Sequence, residues 1–547
     1  MRLLIVGVFL ALLAPAAASS VADAPRLLGP ICHADAEPRI AGPHRLVMLA
    51  GMGNDHLAAD TKSAEAQRWF DYGLTLARSF EHGDAVLAFR RAEVADPACS
   101  LCVWGEAWAS GPNINFGPPP SETPRLLALA QRAQSLAAPD AAGPIRPLET
   151  ALVDRYGADG ARRYAHDLDA MQRAHPDDIE TAIFDAEAWL ILENDEDDPS
   201  GPTRAVEVLR PLLPAHADSS GLVHFFVHAT EDAGEPELAA PYAARLAQLA
   251  PSASHMVHMP SHTWFRVGRY EDAALANVAA LKADRAYAEK TDFPTPLGGL
   301  TYHFHDIRFG LAAAMMSGDG RIALNLVGQF NRDFPAPAAF DARTQIAGGD
   351  VYAAMGRFAP PSVVLAAPDA APANPFLAAM RHYARGEADL RLGRTADARA
   401  EAALIAPFSA AANAPAASRN AAVAEIARLS LEGDADLLEH NSDAAIDAFG
   451  RAAKLQDQRF ARSYDPPAWW CPVRRGLAAA LLAKGDAAGA KRETSAVLQT
   501  WKLDPVALAI QARAERALRQ PDVQRDAASA RAGWRGDPRR LTGPLPV

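Results

Sequence analysis

Apolar positions along this chain recur mostly three and four residues apart, and runs of alternating Val, Ile and Thr are scarce. That spacing predicts amphipathic helices almost throughout and no sheet. Several stretches share one arrangement, a helix, a tight turn and a second helix. Trp69 to Pro97 is one, with its turn placed at His82-Gly83-Asp84 and a closing Asp-Pro. Gly221 to Pro251 repeats the form around Ala233-Gly234-Glu235, and Ser254 to Tyr287 is the most complete copy, with VGRYEDAALANVAALKAD at its turn and second helix. Further copies start near Tyr302 (turn Ser317-Gly318-Asp319), Phe376 (turn Leu392-Gly393-Arg394), Ala421 and Trp469 (turn Lys484-Gly485-Asp486).

A unit of about 34 residues in two helices, with small residues at the crossing and a terminal Pro, is the tetratricopeptide pattern. Each helix pair has an apolar face that only the next pair covers, so Ala and Gly at the crossings let neighbours approach and share one elongated core. The predicted fold is therefore all-α, a right-handed superhelical solenoid of such pairs. Residues 19–62, with scattered Pro and Gly, read as an irregular segment capping the first repeat. An N-terminal array is expected over 63–358 and a C-terminal array over 376–520. The Pro/Ala stretch 359–375 reads as the linker between them, and 521–547 as a tail. Asn194 to Pro202 (NDEDDPSGP) reads as a solvated acidic loop.

The first residues alter the expected compartment. Met1-Arg2, an apolar run from Leu3 to Leu13 and Ala16-Ala17-Ala18 form a short basic start, a core and an A-x-A site. The run is shorter than the roughly 20 residues of a membrane span, so residues 1–18 read as a cleaved secretory signal. Export to the periplasm or beyond is expected, with no membrane span. A net charge of -12 argues against nucleic acid as the main partner. Of the four cysteines, Cys99 and Cys102 sit in CSLC, followed by Val103, which excludes a c-type haem attachment and leaves a local disulfide as the expectation. Cys32 and Cys471 pair only if the ends of the array meet.

Candidate chemistry lies in the histidines. Seven of sixteen fall between His224 and His305. His224, His228 and Glu231 are spaced i, i+4, i+7 in one repeat; His255, His258 and His262 are spaced i, i+3, i+7 in the next. At about 100° per residue each triplet falls within an arc of about 60° on its helix. Aligning the copies on Gly234 and Gly268 sets His224 and His228 level with His258 and His262. Aligning the next on Gly318 sets His305 level with His255 and Arg308 level with His258. First helices of such arrays line the concave face, so the stripe is expected to point into a groove. Neutral imidazoles and a carboxylate on adjacent rigid helices suit a transition metal, zinc, copper or iron. The metal-ligand candidates are His224, His228, Glu231, His255, His258, His262 and His305. A hydrogen-bonded histidine network recognising a peptide or small acidic ligand, without metal, is the rival reading, plain packing is the third, and a scaffold whose groove grips a peptide or protein partner is the alternative function. Met256 and Met259 fall off the stripe and read as core. Pro260 either kinks its helix or starts it, and in the second case His255 and His258 leave the stripe.

No G-x-S-x-G elbow, H-E-x-x-H, P-loop or dinucleotide-binding glycine motif in a strand–helix setting is present. The phrase HMPSHTWFRVGRYEDAALAN, with HFFVHATE upstream and HFHD downstream, resembles a family of exported bacterial tetratricopeptide-repeat proteins. CSLCVWGEAWASGPNIN and the neighbourhood of Asp465-Pro466-Pro467 are similar as well, so the resemblance runs from about residue 60 to 517. It implies the fold and export but no reaction. Where such sequences tend to read H-N-x-H, this chain has His305-Asp306-Ile307-Arg308, and an arginine there is no metal ligand.

Overall fold

The computed structural model describes residues 44–543, apart from 139–142, 197–199, 337–339, 368–373, 411, 413–417 and 461–465. The expected signal peptide, residues 19–43 with Cys32, Asp465 and the last four residues lie outside the described residues. Among those described there are helices and turns but no strand. No described helix is long and apolar enough to cross a membrane.

The chain is an all-α solenoid of tetratricopeptide type. Ala64–Arg78 pairs with His82–Ala95, His303–Ser317 with Gly320–Asp333, and Pro375–Arg391 with Thr395–Ser409. Arg419–Leu438 then pairs with Ser442–Phe460, and Arg474–Lys484 with Ala487–Thr500. Large apolar side chains meet small ones at the crossings. Phe89 is fully buried, with its ring 5.5 Å from that of Phe70. A side chain on Gly73 or Gly105 would collide with that ring. Burying one such phenylalanine stabilises the fold by about 1.5–3 kcal/mol, so each crossing contributes a local share of one long core.

Several boundaries differ from the sequence pattern, each for a local reason. His82-Gly83-Asp84 opens the second helix instead of forming the turn, which lies at residues 79–81 with Phe80 in the left-handed region (φ 64°). The second helix expected before Pro251 is cut into short pieces, Pro236–Leu238, Ala240–Ala243 and Leu246–Leu249. Pro236 and Pro241 each remove an amide donor there. Most of the acidic stretch 194–202 belongs to helix ends, Ile179–Glu196 and the start of Ser200–Leu209. In the expected linker, Pro361–Ala366 forms a short helix, and Ala342–Phe358 packs directly on Pro375–Arg391. One hydrophobic core runs from Met52 to Leu541, across the position of that linker.

The ends matter for the site. Residues 44–62 form an irregular strap. In it Arg45 N–H donates to the Thr291 carbonyl (2.7 Å), and Asp55 meets both Ser220 Oγ (3.1 Å) and the buried Arg78 (3.0 Å). At the other end, Val523–Gly533 and Pro538–Thr542 are helical, and Trp534 lies against Gly318. The winding also closes on itself. Arg308 Nη2 donates to the Pro467 carbonyl (2.8 Å), Tyr270 Oη donates to the Lys502 carbonyl (3.0 Å), and the Phe265 and Trp501 rings are 5.8 Å apart. Pro467, Trp501 and Lys502 thus touch the middle repeats at His303–Ser317, Pro260–Arg266 and Tyr270–Thr291.

Candidate metal centre

The histidine stripe begins on Ser220–Asp232, whose first turn is capped by Ser219 Oγ accepting from the Leu222 amide. That helix ends at Gly234 (φ 75°) and the next copy at Gly268 (φ 83°), a left-handed turn that glycine enters without strain. Matching bonds close both ends, Glu235 N–H to the Thr230 carbonyl (2.8 Å) and Arg269 N–H to the Trp264 carbonyl (2.7 Å). The alignment on these two glycines is thus structural. Pro260 begins a helix, Pro260–Arg266, directly after the short helix Ser254–His258. Met259 between them keeps right-handed helical torsions (φ -52°, ψ -36°), so the two segments run on and the His255, His258, His262 stripe survives the proline. Met256 and Met259 are buried in the core, as expected.

All seven candidates are buried, none more than 8% exposed. They line the interior instead of an open groove. Six imidazoles form two groups of three, His224, His228 and His255, and His258, His262 and His305. Within each group, one nitrogen or more per ring lies within 4.8 Å of those of the others. In the first, His224 Nε2 is 3.1 Å from His255 Nε2 and 3.2 Å from His228 Nε2. In the second, His258 Nε2 is 2.8 Å from His262 Nε2 and 3.2 Å from His305 Nε2. The two groups adjoin, with ring centroids 5.7 Å apart for His228 and His262 and for His255 and His258. Observed neighbours are displaced by one helical turn from the glycine alignment. His224 meets His255 instead of His258, and His305 meets His258 instead of His255, the same three-residue shift at both junctions. Adjacent helices in the array are staggered, which residue counting along each helix does not register.

Partners behind the rings orient them. His224 Nδ1–H donates to the Arg78 carbonyl (2.7 Å). His262 Nδ1–H donates to Glu231, whose other oxygen accepts from Arg266 Nε (2.8 Å). Glu231 therefore stands behind His262, not among the converging Nε2 atoms. His258 Nδ1–H donates to Asn277 Oδ1 (2.6 Å), and the orientation of that amide is set because its Nδ2 donates to the Ala273 carbonyl (2.8 Å). Asp306 Oδ1 lies 3.2 Å from the same nitrogen. A neutral imidazole has one N–H. Where Nδ1 carries it, Nε2 offers a bare lone pair, so His224, His258 and His262 each turn an acceptor into the cluster. Burial pulls His224 down to about 3 and His255 well below the ordinary imidazole value, the latter with help from the neighbouring rings. Both stay uncharged at neutral pH. His255 Nδ1 is buried and meets no hydrogen-bond partner. Phe80, Tyr302 and Phe309 wall the cluster, with Phe80 and Tyr302 rings 4.6 and 4.7 Å from His255 and Phe309 4.9 Å from His262.

No family model matches the chain, and no curated protein sequence does. Among solved structures, human IFIT1, as a dimer with m7Gppp-AAAA, is similar at 13% identity over 87% of this chain and 91% of that one, with a TM-score of 0.28. The P58(IPK) TPR domain is similar at 12% identity, 78% and 99% coverage and a TM-score of 0.20. The Naa15/Naa10 complex with HypK-THB gives 11% identity, 87% and 90% coverage and a TM-score of 0.22.

Asn277 and the Arg78 carbonyl are site features that the histidine spacing does not reveal. Asn277 had a signal: it is a polar residue inside an Ala-rich second helix, in register with buried Ala273, Ala274 and Leu281. Arg308, level with His258 by counting, faces away to Asp350 (2.9 Å) and Pro467. The CSLC motif forms the Cys99–Cys102 disulfide, while Cys471 is a buried free thiol.

Proposed function

We propose that this tetratricopeptide-type solenoid is a metal-binding protein that holds a transition metal ion in the cup of His258, His262 and His305. His224, His228 and His255 form a second, adjoining cup. One observation carries the reading. His258 and His262 both commit their Nδ1 hydrogens to Asn277 and Glu231, yet their Nε2 atoms face each other at 2.8 Å. Two lone pairs at that distance repel, so a proton or a metal cation belongs between them. Three nitrogens around one ion at 2.0–2.1 Å in tetrahedral geometry stand about 3.3 Å apart, close to the 2.8 and 3.2 Å found here. A lone proton satisfies two nitrogens and leaves the third. Glu231 and Asn277 behind the rings are the kind of partners that orient histidine ligands and raise their basicity. The first cup can be satisfied without an ion if His255 carries its hydrogen on Nε2, so the second is the stronger site. All-imidazole ligation suits zinc, copper or iron. Three protein ligands leave a fourth position for water or a small molecule, which an enclosed site would activate. Export through the residues 1–18 signal would load the site outside the cytoplasm.

The test is elemental analysis of untagged protein recovered from its exported compartment, beside a His258→Ala/His262→Ala double variant with unchanged helical circular dichroism. Near-stoichiometric metal in the parent, lost in the variant, is expected. Absence of metal from the parent, even after dialysis against zinc, copper and iron salts, overturns the proposal. A mature N-terminus mapped by mass spectrometry just after Ala18 is expected for the exported form, and an intact Met1 in that compartment would refute the signal assignment.

A further inference from the structure

A second built cavity lies in the C-terminal half, away from the histidines. It encloses about 550 Å³, within the range of small-molecule sites, and Arg357, Tyr383, Phe449, Trp470 and Arg475 contribute to its wall. Arg357 ends the helix Ala342–Phe358 and is 5% exposed. Its Nε and Nη2 are buried and meet no hydrogen-bond partner, and neither does the indole Nε1 of Trp470. Nε and Nη2 form the side edge of the guanidinium, two parallel N–H donors at the spacing of a carboxylate's oxygens. Its cation sits over the Trp470 ring at 4.7 Å, and that of Arg475 over the same ring at 4.9 Å.

Charge around this edge is not balanced by the chain. Burial, with Arg475 and Arg540 repelling and Glu387 attracting, pulls the Arg357 guanidinium down to about 9. It remains a cation at physiological pH. Glu387 is taken up by the Tyr383 hydroxyl (3.1 Å). Burial and Glu387 hold the Asp434 carboxyl well above its ordinary range, which weakens it as a counter-charge for the arginine. A buried cation without a counter-charge is expensive to maintain. An anion from outside supplies the missing partner.

We propose that this cavity binds a small organic carboxylate, its anionic end bidentate on Arg357 Nε and Nη2 and its apolar body against Trp470, Phe449 and the Leu390–Leu438 side. The flat donor edge suits a planar carboxylate. Arg391, Arg475, Arg540 and Ser430 also line the cavity, which makes phosphate the rival anion, while Trp470, Phe449, Leu390 and Leu438 favour a ligand with a hydrocarbon body. This site is independent of the metal reading.

The experiment is isothermal titration of the full mature chain, stripped of metal, with phenylbutyrate, with its uncharged amide and with inorganic phosphate. Phenylbutyrate is expected to bind, and the amide to bind at least about tenfold more weakly, the loss expected for a charged hydrogen-bonded contact. Arg357→Gln should erase the difference between acid and amide. Arg357→Lys, which keeps the charge without the fork, should weaken the acid by about tenfold. His262→Ala should leave phenylbutyrate binding unchanged, which separates this cavity from the metal cups. Equal binding of acid and amide, binding of phosphate without the acid, or no heat from the acid at millimolar concentration would each overturn the proposal.

Discussion

Glu231→Gln offers the sharpest test of the lone-pair argument, because its two effects have opposite signs. In the parent, one carboxylate oxygen accepts from His262 Nδ1–H and the other from Arg266 Nε (2.8 Å). A glutamine has one acceptor oxygen. The guanidinium only donates, so that oxygen turns to Arg266 and the amide NH₂ faces His262. His262 must then accept at Nδ1 and carry its hydrogen on Nε2, directly toward the His258 Nε2 lone pair. In the metal-free protein this replaces a repulsive contact with a hydrogen bond of about 1 kcal/mol. The charge pair with Arg266 is mostly buried, and losing its charge costs about 1–3 kcal/mol although the amide oxygen keeps a hydrogen bond to the guanidinium. Metal-free stability should therefore change by no more than about 2 kcal/mol, a shift of about 2 °C in a thermal melt of a chain this long. Metal binding behaves differently. The hydrogen on His262 Nε2 must be moved before an ion can enter, and loss of a carboxylate behind a ligand histidine costs roughly 10–100-fold in affinity, about 1.4–2.7 kcal/mol. Chelator competition gives the affinity, and melts with and without metal give the stability. A variant that binds metal as the parent does, or one whose metal-free form loses several kcal/mol while occupancy is unchanged, would refute the reasoning.

Other expectations follow from the packing. Burial raises the Glu187 carboxyl to about 7 from an ordinary 4.5. The folded protein thus binds more protons than the unfolded chain between those values, and stability falls as pH climbs through that window. Glu187→Gln should be more stable than the parent at pH 8, by at most about 3 kcal/mol, with no advantage at pH 4; denaturant melts at the two pH values check the sign. Phe89→Ala, at a crossing closed by Gly73 and Gly105, should lower stability by about 3–5 kcal/mol in the same assay. The Cys99–Cys102 bridge closes a very short loop, so a Cys99→Ala/Cys102→Ala variant should lose no more than about 2 kcal/mol and keep its metal, as read by melts and elemental analysis.

Much of this architecture is legible in the chain because it is local. Helix spacing, the turn glycines Gly234, Gly268, Gly318, Gly393 and Gly485, and the small residues at crossings all act within a repeat or between adjacent ones. The stripe is legible for the same reason, since i, i+4, i+7 spacing sets a face whatever lies beyond it. What escaped is non-local. The one-turn stagger depends on how neighbouring helices slide, which residues on both helices decide. Burial of the site depends in part on Phe80, from a repeat far back in the chain, whose ring lies 4.6 Å from those of His224 and His255. Nothing in the periodicity of either segment announces that meeting. Glu231 was legible as a stripe member but not as a partner behind His262, because its role is set by Arg266 one repeat away.

The enclosure changes what the histidines mean. On an open groove, six imidazoles would be hydrated and nearly without cost, and their clustering would say little. In a dry interior each must find partners within the protein, since an unsatisfied buried polar group costs about 1–3 kcal/mol. The chain supplies partners to the Nδ1 side of His224, His258 and His262 and then brings their Nε2 lone pairs together. A core selected for stability alone would use apolar side chains at these positions, as it does at neighbouring Phe225, Phe226 and Phe265. Holding His258 and His262 on successive helices, with His305 on a third, also means that a bound ion would tie these segments together directly through their side chains. Any affinity for that ion adds to folding stability by mass action, about 2.7 kcal/mol at a free concentration 100 times the dissociation constant. The stabilisation an ion provides would therefore fall on the middle repeats, which carry the only three-histidine groups among the described residues.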